Sequence, residues 1–252
     1  MYIDGTWCAS ETNTTFDVFN PASGEKINAV ADGTANDARR AIDAAGDAFP
    51  MWSKSTAYAR AAFLINAHKI MLSRKEELAK TMTTEQGKPI KAARNEVQYA
   101  ADFLLWYAEE AKRINGEVLP SARADQRFII LHQPVGVVAA VTPWNYPISM
   151  ITRKVAPALA AGCCIVLKPA EATPLCAIEM FKIFEEAGIP KGVVNLVTTS
   201  DPKPIGEEFT TNPAVAKITF TGSTAVGKML AGKAGANMKR ISLELGGHAP
   251  FI

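Results

Sequence analysis

Residues 136–147 read Gly-Val-Val-Ala-Ala-Val-Thr-Pro-Trp-Asn-Tyr-Pro, an unbroken apolar run that stops abruptly in a turn built from prolines and aromatic rings. A run with no polar alternation suits a strand buried on both faces, as strands of parallel sheets are. Four more runs follow, at Cys163 to Leu167, Val193 to Val197, Val215 to Phe220 and Arg240 to Leu245. Between them, Ile148 to Ala161, Thr173 to Ala187, Pro204 to Thr210 and Ser223 to Ala234 carry helical periodicity or capping signals. Each parallel pair needs a crossover connection, so this alternation predicts an α/β fold with a doubly wound, mainly parallel, Rossmann-like sheet of about five strands.

Upstream the chain is largely helical. Apolar residues recur at three and four over Ala35 to Phe49, Thr56 to Thr84 and Pro89 to Asn115. Gly87 before Lys88-Pro89 ends one helix and lets the next begin, and Gly116 is placed as a C-terminal glycine. Phe16 to Gly24 reads as a strand and turn. Arg127 to Gln133 alternates as a half-buried strand, reached from Leu119 and Pro120 through a polar turn at Ala122 to Gln126, a pattern suited to pairing with another subunit. The expected parts are residues 1–116, helical and packed on the sheet, 117–134, a self-association arm, and 135–252, the α/β sheet.

Lys and Arg total 27 against 25 acids, a net charge of +2 without long runs, which gives no electrostatic case for nucleic acid or a membrane surface. Apolar stretches such as Gly162 to Leu167 are too short to span a bilayer, and the opening MYIDGTWCAS lacks the basic and apolar regions of a leader. Cys8, Cys163, Cys164 and Cys176 show no C-x-x-C or metal-ligand spacing. They read as reduced, cytoplasmic and mostly core thiols, and no metal is expected. A small molecule is the expected partner.

Ligands of doubly wound sheets bind outside the carboxyl ends of the strands. There the chain places Asn145, then Lys168 and Glu171, then Gly222, Ser223 and Gly227, then Glu244 and Leu245. Gly222 and Gly227 bracket a strand-to-helix turn whose amides and Ser223 suit a phosphate, although Ser223 serves equally as a plain N-cap. Residues Gly222 to Lys228 nearly match a P-loop, but Met229 stands where a hydroxyl should hold magnesium, which argues against a phosphotransferase. The dinucleotide fingerprint G-x-G-x-x-G is absent.

Four stretches, Thr142-Pro-Trp-Asn-Tyr-Pro147, Val166-Leu-Lys-Pro-Ala-Glu171, Phe220-Thr-Gly-Ser-Thr224 and Leu243-Glu-Leu-Gly-Gly247, occur in order. Together with Asn20-Pro-Ala-Ser-Gly24 and Pro204-Ile-Gly-Glu207, they make the chain resemble NAD(P)-dependent aldehyde dehydrogenases over essentially its whole length. Among these it is most similar to succinate-semialdehyde dehydrogenases. The resemblance implies oxidation of a small aldehyde: a cysteine thiolate adds to it, the thiohemiacetal gives hydride to the nicotinamide, and water hydrolyses the thioester.

By that resemblance Asn145 donates its amide to the developing oxyanion, a contribution of about 3 to 4 kcal/mol. The alternative is an ordinary turn asparagine. Glu244 becomes the general base, in a partly apolar setting, against a plain edge-of-sheet acid paired with Lys239 or Arg240. Lys168 and Glu171 bind the adenosine ribose, against a surface ion pair. Trp144 lies near the pyrophosphate, against core packing, and Thr142, Pro143 and Leu245 offer backbone and wall contacts. His248 receives no catalytic role. Cys163 and Cys164 begin a strand at the end opposite the ligand rim, so neither is expected to be the nucleophile.

The family's nucleophile lies well beyond the base, whereas eight residues follow Glu244 here. The expectation is therefore a coenzyme-binding half, inactive alone. A carboxylate at Glu171 predicts NAD over NADP, and the arm predicts dimers or tetramers of the full-length form. The competing reading is a non-catalytic nucleotide-binding or scaffold module.

Overall fold

The computed structural model describes residues 1–247 and 250, so His248 lies outside the described residues. The chain opens with a hairpin of β1 (Tyr2–Ile3) and β2 (Thr6–Trp7), followed by a second hairpin of β3 (Thr15–Phe19) and β4 (Lys26–Ala31). Four helices come next, α1 (Ala35–Ser53), α2 (Ala57–Ser73), α3 (Lys75–Gln86) and α4 (Ile90–Ala111). A third hairpin, β5 (Glu117–Pro120) and β6 (Arg127–Ile130), precedes the alternating half. That half runs β7 (Val137–Val141), α5 (Ser149–Ala160), β8 (Cys164–Lys168), α6 (Pro174–Glu186), β9 (Val194–Leu196), α7 (Pro202–Thr211), β10 (Val215–Gly222), α8 (Thr224–Ala236) and β11 (Arg240–Leu245).

The five expected parallel strands form one sheet, in the order β11-β10-β7-β8-β9. The winding reverses between β7 and β10, and that switch point is where such sheets open a crevice for ligands. Two short antiparallel strands extend the sheet beyond β9, making seven among the described residues. The sequence reading missed them, because strands of two residues leave no alternation to detect. The signal present was the pair Asp4-Gly5, whose positive φ angles of 49° and 72° give the turn that closes a two-residue hairpin.

Two expectations about the helical region are corrected. The segment Thr56 to Thr84 is not one helix but α2 and α3, broken at Arg74. There the Ser73 hydroxyl donates back to the Ile70 carbonyl at 2.8 Å, competing with the helical ladder. The Arg74 guanidinium is also drawn sideways to Glu77 at 2.6 Å and to Glu179 of α6 at 2.7 Å. Gly87 does terminate α3 with φ 80°. Gly116 does not cap α4, which stops at Ala111. It packs under the third hairpin, where a Cβ would meet the Ile130 carbonyl oxygen at 2.4 Å.

The third hairpin pairs Glu117 with Ile130 and Pro120 with Arg127, forming a sheet of its own. Every residue of β5 and β6 is exposed, so the expected half-buried strand is bare on both faces.

One buried cluster joins Tyr2 and Ile3, the inner faces of α1 to α4, and strands β7 to β9. The helical half and the sheet thus share a core. Among the described residues no helix is long and apolar enough to cross a membrane.

Candidate active site

The loop after β7 is fastened at its root, where the amide of Thr142 donates to the carbonyl of Lys168 at 3.2 Å. Thr142 is buried, so it anchors the loop and does not serve as a wall of the site. Beyond it Trp144, Asn145 and Tyr146 are exposed, with Trp144 58% accessible. Core packing, the bland alternative for Trp144, is therefore excluded.

Pro143, Trp144, Asn145 and Tyr146 form one wall of a cavity of about 390 Å³, closed by Thr221 to Ser223 and by Glu244 to Gly246. The sheet brings these segments together because β10 sits between β7 and β11 in register, with Phe220 opposite both Val141 and Leu243. The sequence reading missed Tyr146, Met150, Arg153, Thr221 and Gly246, which also line the cavity. Arg153 was legible only as part of an amphipathic helix. The buried Thr221 hydroxyl has no hydrogen-bond partner among the described residues, an orphan that a bound polar group would satisfy.

The Glu244 side chain is 62% exposed, and its cation partner is Arg153 of α5 at 3.5 Å. Neither Lys239 nor Arg240 plays that part: the Lys239 ammonium is taken by the carbonyls of Asn212 and Val215. Trp144, Met150 and Leu245 line the same cavity, so apolar groups do face Glu244 on that side, while its carboxylate stays open to solvent. Behind Arg153, burial pushes the pKa of Lys154 down to about 8, with Arg153 adding to the effect. Its ammonium donates to the Thr219 hydroxyl at 3.1 Å.

Ser223 is the N-cap of α8, accepting from the Val226 amide at 3.4 Å, as the plain alternative had it. The amide of Gly227 is spent inside the helix, on the Ser223 carbonyl at 3.0 Å. Gly227 instead lets α8 lie on β11, since a Cβ there would fall 2.4 Å from Leu245 Cδ2. The turn thus has fewer free groups for the expected phosphate than the sequence suggests.

A second cavity, of about 450 Å³, opens on the other side of the α8 N-terminus between α7 and β10. Ile205, Phe209, Phe220, Val226, Met229 and Leu230 make it mainly apolar, and Lys168 lies at its floor. Lys168 is only 4% exposed, and burial lowers its pKa. It is ion-paired to the carboxylate of Glu171, so the expected pair exists but is half buried and not a surface pair. The site residues therefore fall into two adjacent groups: Asn145 with Glu244, and Lys168 with Glu171.

All four cysteines are free thiols. Cys163, Cys164 and Cys176 are buried, and burial raises their pKa values, that of Cys164 to about 12. A thiol held protonated in the core is a poor nucleophile, as expected for Cys163 and Cys164.

Residues 7–252 match the model of the aldehyde dehydrogenase family. The chain is 50% identical over 251 residues to a glutarate-semialdehyde dehydrogenase of Pseudomonas aeruginosa, covering all of this chain and 52% of that protein. It is 48% identical over 250 residues to the Escherichia coli K12 succinate-semialdehyde dehydrogenase (NADP(+)), covering 99% of this chain and 52% of the relative. The crystal structure of succinate-semialdehyde dehydrogenase from Burkholderia pseudomallei superposes with a TM-score of 0.98 at 49% identity, over 99% of this chain and 52% of that one. The chain spans about half the length of the curated relatives it matches. With the family model matched from residue 7 onward and the fold shared across the chain, this protein belongs to the aldehyde dehydrogenase family.

Proposed function

We propose that these residues form the coenzyme-binding part of an NAD-dependent dehydrogenase of small aldehydes that carry a second, anionic end, such as succinic semialdehyde. The observation that carries this reading is the meeting of Asn145, Glu244 and the unpartnered Thr221 hydroxyl on one cavity. NAD, when bound, supplies the hydride acceptor. The apolar second cavity suits an adenine ring, and Lys168, which lines it and is ion-paired to Glu171, suits ribose hydroxyls. Trp144, Ser223 and Leu245 wall the space that the rest of the dinucleotide would enter.

Asn145 acts through its exposed side-chain amide, donating to the aldehyde oxygen as it gains negative charge. Glu244 takes a proton from the water that hydrolyses the thioester, and its exposure leaves it room to turn. The attacking thiolate comes from outside these residues, since their buried thiols are poorly suited to it. Arg153 supports the acidic substrate class: it places a guanidinium in the same cavity as Asn145, and both relatives are named for semialdehydes bearing a carboxylate. The exposed apolar strands β5 and β6 act as the association arm of a homodimer or homotetramer. Residues 1–116 pack on the sheet as one part, and 135–252 form the NAD-binding part. The site of action is the cytoplasm, where free thiols stay reduced.

A binding titration and an activity assay test the reading. NAD should bind the 252-residue chain more tightly than NADP, because Glu171 accepts from ribose hydroxyls and repels a 2′-phosphate. Equal or tighter NADP binding refutes that preference, and the NADP(+) in the name of the E. coli relative makes it a real contest. In activity assays the 252-residue chain should form no NADH from succinic semialdehyde, while a gene product of the relatives' length should. Turnover by the shorter chain would mean that Cys163, Cys164 or Cys176 is the nucleophile after all.

A further inference from the structure

The loop carrying Asn145 is exposed over three consecutive residues, yet an oxyanion donor works only if held to within about half an ångström. What holds it comes from the helical half. Glu96 of α4 lies on a helix face otherwise made of Ala93, Val97, Ala100 and Leu104, and is only 3% exposed. Its Oε1 accepts from the amides of Ile148 and Ser149 at 3.0 and 3.1 Å. These are the first amides of α5, whose own cap residue supplies no side-chain bond.

Capping α5 would occupy one carboxylate oxygen. The other pairs with the ammonium of Lys88, itself largely buried. Lys88 in turn donates to the carbonyl oxygen of Asn145 at 2.9 Å, and its ammonium sits 3.9 Å from the centre of the Tyr146 ring. The far end of the network is therefore the peptide of the candidate oxyanion donor, gripped on its carbonyl and on the ring that follows. A purely structural cap has no need of this second arm.

We infer that Lys88 and Glu96 are positioning residues for Asn145, fixing its backbone so that the side-chain amide projects into the cavity. The inference rests on the proposed role of Asn145. Small misplacements of a catalytic group cost up to about 100-fold in rate, so Lys88→Met should lower kcat about 10- to 100-fold in the gene product of full length. NAD affinity should stay within about twofold, because Lys168 and the second cavity are untouched. Lys88→Arg, which keeps the cation, should recover a large part of the loss.

The decisive measurement is a double-mutant cycle with Asn145→Ala, read alongside hydrogen exchange of residues 144–149 in the 252-residue chain. If Lys88 acts through Asn145, Lys88→Met has little further effect in the Asn145→Ala background, and exchange in the loop rises while that of β7 and β8 does not. Equal losses in both backgrounds, or unchanged loop exchange, overturn the inference. A full-length parent that makes no NADH from any aldehyde would refute the proposed function instead, and the exchange experiment would still decide whether Lys88 holds the loop.

Discussion

A second buried carboxylate, Glu85 on α3, makes a quantitative prediction about pH. It is 2% exposed and sits at the start of α6, where the amide of Cys176 donates to Oε2 at 2.9 Å and the amide of Leu175 donates to Oε1. Thr173, the cap residue of α6, supplies no side-chain bond, so Glu85 caps the helix from outside. Burial pushes its carboxyl from 4.5 up to about 7, against the pull of the two amides. The folded state thus holds this proton more tightly than the unfolded chain. The contribution to stability is fully present below about 4.5 and is lost as pH rises through about 7. At about 1.4 kcal/mol per pKa unit, the change across that window is about 3 kcal/mol in order of magnitude. Glu85→Gln abolishes the titration while losing at least one good acceptor, which costs about 1 to 3 kcal/mol at every pH. Urea denaturation of both proteins at pH 5, 6, 7 and 8 should therefore show the stability of the variant gaining on that of the parent by about 2 to 3 kcal/mol as pH rises. Other titrating groups cancel in the difference. Parallel curves would refute the reasoning: they would mean that the two amides and the helix dipole outweigh burial, and that Glu85 is ionised throughout.

Three further outcomes are expected. Gly192 has φ 74°, and a Cβ there would lie 2.4 Å from the Ala44 carbonyl oxygen, so Gly192→Ala should destabilise the fold by at least about 2 kcal/mol in a urea melt. Arg153→Gln, in the full-length gene product, should raise KM for succinic semialdehyde at least about tenfold while changing that for butanal less than about threefold, as loss of a charge-assisted contact would; equal changes would remove Arg153 from substrate recognition. Val118, Phe128, Ile129 and Leu131 are all more than half exposed, so replacing Ile129 by Lys should shift sedimentation of the full-length form toward smaller species if the arm joins subunits.

The alternating half was legible because each apolar strand ends in residues that have no packing reason to be there. Asn145 after Val141, Lys168 after Leu167 and Glu244 near the end of the last strand all mark the rim, and the sheet places them there. Arg153 and Thr221 were not legible, since an arginine on a helix and a threonine in a strand are ordinary until the partner strand is known. The break at Arg74 was hidden for a related reason: its cause is partly Glu179, far away in sequence. The exposed hairpin β5–β6 was misjudged because alternation reports which face is apolar, not whether anything covers it.

The same limit explains why Glu85 and Glu96 escaped notice. In sequence each is one acid on an amphipathic helix, and acids on such helices usually face water. In the fold they are the means by which α3 and α4 close the N-termini of α6 and α5, the two helices that follow the Lys168 and Asn145 loops. A buried carboxylate is tolerated only where donors await it, so these positions fix the orientation of the helical half against the sheet more tightly than apolar contacts would. An apolar replacement would leave two amides unpaired at a helix start, whereas shifting the helices would strand the carboxylate. The rim loops therefore inherit their positions from residues whose only visible role in the sequence is to make a helix.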